Sequence, residues 1–138
     1  MGPRRTLRHC ALALSLSCVV NATAAAQTSE AATWQSTPAS VLKNTLRSVS
    51  IAQVRFFQGQ KTYSASADAL GLAPDHNVQV QILAAGPKGW QARAVHRQQP
   101  GLSCVIFVGS VEGFESPTTD GDHEMAGEEG VPLCDRMR

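Results

Sequence analysis

The chain has 138 residues, 43% hydrophobic and 17% charged, with 12 Lys+Arg against 11 Asp+Glu. That length suits one domain. The formal charge of +1 argues against a nucleic-acid binder working through bulk charge, and no run of about twenty apolar residues exists to span a bilayer. Aromatic residues are only 5%, so the core is expected to be aliphatic and rich in alanine.

Residues 1–26 read as a cleavable export signal. Arg4, Arg5 and Arg8 form a positive start, Ala11 to Val20 an apolar stretch, and Ala24-Ala25-Ala26 a small-residue cleavage site before Gln27. The apolar stretch is too short to cross a membrane. Arg4-Arg5 lacks the second apolar residue of a twin-arginine signal, and Leu16 stands one place too late for Cys18 to be a lipid acceptor. Cleavage would remove three arginines and no acid, leaving two more acids than bases. It would also remove Cys10 and Cys18, leaving Cys104 and Cys134. An even pair in an exported chain reads as one disulfide, contributing about 3–4 kcal/mol through loop closure. Two free thiols are the alternative, and a redox pair would prefer closer spacing.

Residues 27–36 are small and polar and read as a flexible linker, interrupted by Trp34, a residue able to dock back on the body. Residues 37–138 form the expected globular domain. A helix is expected over 38–58, with Thr37 as its N-cap and Pro38 at its first position. Leu42, Leu46, Val49 and Phe56 make its apolar stripe, widened by Val41, Ala52 and Phe57, with Gln53 where an apolar residue belongs. Gly59 is the expected stop. Lys43, Arg47 and Arg55, with Ile51 between, share one face, and no acid occurs between residues 31 and 67. That face reads as either an anion- or partner-contact surface or the solvated back of an amphipathic helix.

Residues 60–77 read as a loop with one helical turn, Ala67 to Leu70, capped by Ser64 or Ser66 and ended by Gly71. Pro74-Asp75-His76-Asn77 is a turn cluster. Three strands are expected next. Val78, Val80 and Ile82 alternate with Gln79, Gln81 and Leu83; after Gly86-Pro87-Lys88-Gly89, Trp90, Ala92, Ala94 and His96 alternate with Gln91, Arg93 and Val95. After Gln98-Gln99-Pro100-Gly101, Cys104 to Val108 is continuously apolar, as suits a strand buried on both faces. The short turns imply an antiparallel meander with one face on the helix, an α+β fold of three to four strands. Residues 110–130 read as an acidic loop. Glu112, Glu115, Asp120, Asp122, Glu124, Glu128 and Glu129 occur there with no base between 112 and 129, and a disulfide would pin the far end to the third strand.

This order of elements resembles the globular head of type IV pilins and the related pseudopilins of type II secretion. Residues 46–57, with Ala52-Gln53-Val54-Arg55-Phe56, are similar to the later half of a pilin helix. Thr62-Tyr63 and Ala69-Leu70-Gly71-Leu72 are similar to the loop that follows it. Residues 78–82 and the run Gly89-Trp90-Gln91-Ala92-Arg93-Ala94-Val95-His96 are similar to the first two head strands. Cys104 to Gly109 and Cys134 are similar to the third strand and the cysteine-bounded end segment. The likeness covers about residues 42–134. The long apolar stem of a prepilin, with its glycine cleavage site and early glutamate, has no counterpart. The resemblance therefore implies a head without a stem: a periplasmic or secreted protein, monomeric alone, that binds a protein partner at the cell envelope.

No G-x-S-x-G, H-E-x-x-H or phosphate loop occurs, and no histidine pair has metal-ligand spacing. His96 reads as a half-buried structural residue, with His76 and His123 in loops. The reading is therefore of a protein that is not an enzyme. The one cation candidate is Asp120, Asp122 and Glu124, whose alternation in Asp120-Gly121-Asp122-His123-Glu124 suits calcium but lacks the EF-hand pattern. Some pseudopilins bind calcium in this region, which the resemblance carries over as an expectation. The same acids could instead dock on Lys43, Arg47 and Arg55 of their own chain. Two rival readings are a calcium-dependent secreted protein or small enzyme using the acidic loop and His123, and a DNA-contacting head using the basic stripe, which the acidic balance of the exported chain disfavours.

Overall fold

The computed structural model describes residues 36–73 and 75–136. The export signal, nearly all of the linker, and Trp34 lie outside the described residues.

Helix α1 spans Pro38–Gln60. Thr37 caps it as expected: extended backbone places its hydroxyl to accept from the Ser40 N–H at 3.2 Å, and Pro38 needs no donor there. Such a cap contributes about 1 kcal/mol. The stop differs from expectation. Gly59 lies inside the helix, which runs on to Gln60, and Lys61 ends it in the left-handed conformation with its N–H donating to the Phe57 carbonyl. The carbonyl is satisfied two residues later than a glycine cap would have done it. Leu42, Leu46 and Val49 are fully buried, as the periodicity predicts, and so is Gln53.

Gln53 closes the following loop. Its Nε2 donates to the Ser64 carbonyl and its Oε1 accepts from the Ser64 N–H, both at 2.8 Å. The side chain amide thus pairs with the loop as a neighbouring strand would. Tyr63 stacks on Phe57 with ring centroids 4.7 Å apart, and its N–H donates to the Gly86 carbonyl. The short turn that follows is a 3-10 helix, Asp68–Leu70. Gly71 ends it in the left-handed region, as expected, but neither serine caps it. The Ser64 hydroxyl instead donates to the Ser66 carbonyl and accepts from the Ser66 N–H, a local ring that leaves nothing for the turn.

Strands β1 (Val78–Ala85), β2 (Gly89–His96), β3 (Ser103–Gly109) and β4 (Leu133–Cys134) form one antiparallel sheet in the order β1-β2-β3-β4. The short fourth strand comes from the far end of the acidic loop. Val78 lies opposite His96 and Ile82 opposite Ala92; then Leu83 is an extra residue, so that Ala84 faces Gln91. This bulge breaks the simple alternation expected of β1. β2 and β3 pair without a shift, from Gly89 with Gly109 to Val95 with Ser103.

The helix covers one sheet face. Trp90, Ala92, Ala94, Cys104 and Ile106 join Leu42, Leu46 and Val49 in a single core, with Leu102 and Val78 at its end. The two alanines let the helix approach β2 closely, and Trp90 fills the space beyond them. His96 continues this row and is buried. On the opposite face Gln91, Ser103 and Val105 are shielded by the chain between β3 and β4, while Gln79 and Gln81 of β1 stay exposed. The continuous apolar run of β3 is thus covered on both sides. Among the described residues no helix is long and apolar enough to cross a membrane.

Gln53→Leu keeps the apolar stripe but leaves the Ser64 N–H and carbonyl without partners. Urea unfolding of this variant should show a loss of about 2–4 kcal/mol, from the cost of two unsatisfied buried backbone groups. A stability equal to the unsubstituted chain would refute the strand-like role of Gln53.

Candidate functional site

The second cover of the sheet is the segment 110–132, and the site is built around the way it is held. A disulfide joins Cys104 to Cys134, with Cα atoms 4.0 Å apart across β3 and β4 and 30 residues between them in sequence. The next residue, Asp135, turns its carboxylate under the segment and is 5% exposed. Oδ2 accepts from the N–H and hydroxyl of Ser103, both at 2.8 Å. Oδ1 accepts from the N–H of Gly121 at 3.0 Å and of Asp122 at 2.7 Å, and the Thr119 hydroxyl donates to the same group. The Ser103 hydroxyl in turn accepts from the Asp120 N–H at 2.7 Å. The consecutive backbone donors of Gly121 and Asp122 therefore converge on an anion that the chain itself supplies, and the Asp120 N–H is held beside it through the Ser103 hydroxyl. Burial alone would raise this carboxyl; the hydrogen bonds from Asp122, Thr119 and Ser103 outweigh it and hold the group at about 2, below its ordinary 3.8.

Gly121 is required by this packing. A Cβ there would stand 2.6 Å from the Gly101 carbonyl oxygen and 3.1 Å from the Asp135 carboxyl carbon. Further along, Gln91 reaches from the sheet to donate to the Glu115 carbonyl at 2.7 Å, and Glu129 Oε1 accepts from the Gly109 N–H at 2.8 Å. The Gly130 N–H donates to the Phe107 carbonyl.

The sequence-derived candidates fall into separate places. Cys104 and Cys134 form the disulfide expected of them. Asp120, Asp122 and Glu124 have different partners. Asp120 pairs with Arg93, whose other terminal nitrogen donates to Gln81. Asp122 accepts from the Arg136 N–H at 2.6 Å, and Glu124 pairs with the Arg136 guanidinium. Calcium held by these three carboxylates requires Arg93 and Arg136 to be displaced first. Among the described residues, no group of three or more His, Cys, Asp or Glu side chains is placed to hold a metal ion. The basic set, Lys43, Arg47 and Arg55, lies along the outer side of α1 with Ile51, and Arg47 donates to Asn44 Oδ1. Among the described residues the ion pairs of the loop acids are Asp120 with Arg93 and Glu124 with Arg136, not with this set. His76 lines a cleft of about 970 Å³ between the first half of α1, the 67–77 loop and the start of β1, together with Asp68, Asp75 and Arg97; His123 is exposed, with a left-handed backbone.

Asp135, Ser103, Thr119 and Arg93 were not singled out by the sequence. The available signals were an acid directly after the second cysteine and a serine opening an otherwise apolar strand. No protein-family model matches the chain, and no curated protein matches it in sequence.

The Asp135 carboxyl titrates lower folded than unfolded, so ionisation favours the fold. Its contribution is complete above about pH 4 and is lost as pH falls toward 2, about 2 kcal/mol in all. Urea unfolding followed from pH 5 to pH 2 should show this loss. In Asp135→Asn the chain should be less stable at pH 5 and the same acid limb flatter; an unchanged limb would assign it to other carboxylates.

Reducing the disulfide, or replacing Cys134 by serine, should cost about 3–4 kcal/mol, the loop-closure value for 30 residues. It should also open 110–132 to limited proteolysis before the helix and meander are cut. Simultaneous cutting throughout the chain would show that the segment is not a separable cover.

Proposed function

We propose that this chain is an exported, disulfide-bonded binding protein of the bacterial cell envelope with a pilin-like head. It works by contact with a protein partner, alongside a type IV pilus or type II secretion assembly, and carries out no reaction of its own. The observation that carries this reading is the order of parts: one helix backing an antiparallel meander, then a cysteine-bounded segment folded across the free face. Those are the parts on which the resemblance to pilin heads rests. The signal-like residues 1–26 and the disulfide support passage to an oxidising compartment. The buried polar groups support a binding role as well. Asp135, Ser103, Thr119 and Gln53 are committed to holding loops in place, which leaves the backs of the covers and the exposed side of β1 as contact surfaces.

Fractionation of the tagged protein in its host, with mass spectrometry of its N-terminus, tests the reading. The expected result is an oxidised periplasmic or secreted pool that begins near Gln27. A cytoplasmic pool with free thiols, or a membrane pool that keeps residues 11–20, would overturn it.

A further inference from the structure

We infer that the chain binds a second copy of itself head to tail, the outer side of α1 in one copy against the acidic segment of the next. This names a partner for the binding role proposed above and rests on that role for its setting; the two surfaces are read from the fold.

The layers place them on opposite sides. α1 covers the face of Trp90, Ala92 and Ile106, and the 110–132 segment covers the face of Gln91, Ser103 and Val105. The outer side of α1 carries Lys43, Arg47 and Arg55, with Lys61 at its end, and the helix contains no acid. The outer side of the segment exposes Glu112, Glu115 and Glu128, with no base between 112 and 129. Lys43, Arg55, Glu112 and the side chains of Glu115 and Glu128 have no charged or hydrogen-bonding partner among the described residues, and Arg47 meets only Asn44. Intramolecular pairing therefore leaves both charge sets available.

Each face also holds apolar side chains. Among the described residues, the large hydrophobic residues left exposed are Ile51 (56%) and Val54 (53%) on α1, and Phe114 (56%), Met125 (56%) and Val131 (44%) on the segment. The exposed apolar groups are thus divided between the two faces, one set among the bases of α1, the other among the free acids Glu112, Glu115 and Glu128 and the Asp120–Arg93 and Glu124–Arg136 pairs. A contact between the faces would remove both apolar sets from water and bring opposite charges together. An anionic lipid surface would suit the α1 side but leaves Phe114, Met125 and Val131 without a role, so the second copy accounts for more of the surface. Because the two patches differ and lie on opposite sides, the contact is heterologous, and repetition gives a ring or an open chain.

The test is sedimentation of the full chain isolated from its host, together with two charge-reversed forms. One carries Arg47→Glu and Arg55→Glu, the other Glu112→Lys, Glu115→Lys and Glu128→Lys. All five positions are on the surface, and circular dichroism checks that both forms fold. Wild type should form multimers at about 0.01 M salt, where the Debye length is about 30 Å, and dissociate at about 1 M, where it is about 3 Å. Its apparent association constant should fall roughly tenfold or more between them. Each reversed form loses the opposition of charge between its two faces and should stay monomeric; in a one-to-one mixture the unchanged basic face of one form meets the unchanged acidic face of the other, and the two should pair. Wild type that stays monomeric at low salt, or reversed forms that assemble alone as wild type does, would overturn the inference. So would binding to phosphatidylglycerol vesicles, lost in the Arg47→Glu, Arg55→Glu form, by a wild type that does not self-associate. A monomer that still fractionates with an envelope assembly overturns the self-contact and leaves the binding role standing; a multimer confined to the cytoplasm supports the self-contact and overturns the exported setting.

Discussion

Strand β3 is sealed from water on both sides. Ser103, Cys104, Val105 and Ile106 are all fully buried, although neighbours in a strand point to opposite faces. A sheet of this kind needs two covers, and one helix supplies only one of them. The segment between β3 and β4 has to be the other. It has almost no regular structure, so its own backbone cannot satisfy the polar groups that it lays against the sheet. The molecule meets that constraint with side chains rooted in or beside the sheet. Gln91, Ser103 and Asp135 act as partners for the segment's main chain.

Gln53 answers the same demand on the helix side. A buried glutamine in an apolar stripe is a liability alone, because its amide would lose water without recompense. Paired with both backbone groups of Ser64, it becomes the device that brings the 61–66 loop back over the core. The 61–66 loop and the 110–132 segment are thus fixed by the same kind of contact, a buried polar side chain standing in for a strand. Such contacts are directional, so each fixes its loop in one position, which apolar packing alone does less sharply.

The periodic parts of this architecture were legible in the sequence. Thr37 and Pro38 start the helix, Leu42, Leu46 and Val49 face the core, and the Trp90 row alternates as written. Those features depend on neighbours a few positions away. The Lys61 cap was less visible, because a left-handed lysine competes poorly with a nearby glycine in any local rule. The roles of Gln53 and Asp135 were out of reach for a different reason. Gln53 breaks the stripe visibly, but its partner lies eleven residues on, in a loop without a pattern. Asp135 acts on Ser103, 32 residues earlier, and nothing periodic links the two. The acidic run was plain as composition, yet composition cannot say which acid turns inward. Arg93, the partner of Asp120, read only as the polar member of an alternating strand.

The acids accordingly divide into two groups with different work. Asp120, Asp122 and Glu124 face Arg93 and Arg136, Glu129 accepts from the Gly109 N–H, and with Asp135 they keep the segment against the sheet. Glu112, Glu115 and Glu128 turn outward, and their side chains have no such task. A dense acidic run is costly to fold because like charges repel, and the inward pairs offset part of that cost. The outward acids gain nothing from the fold and add to its self-repulsion. The bases of α1 sit on the far side of the sheet, among exposed Ile51 and Val54, and are equally unneeded for packing. With β2 and β3 covered on both faces, the charges the fold does not use are left on the backs of the covers.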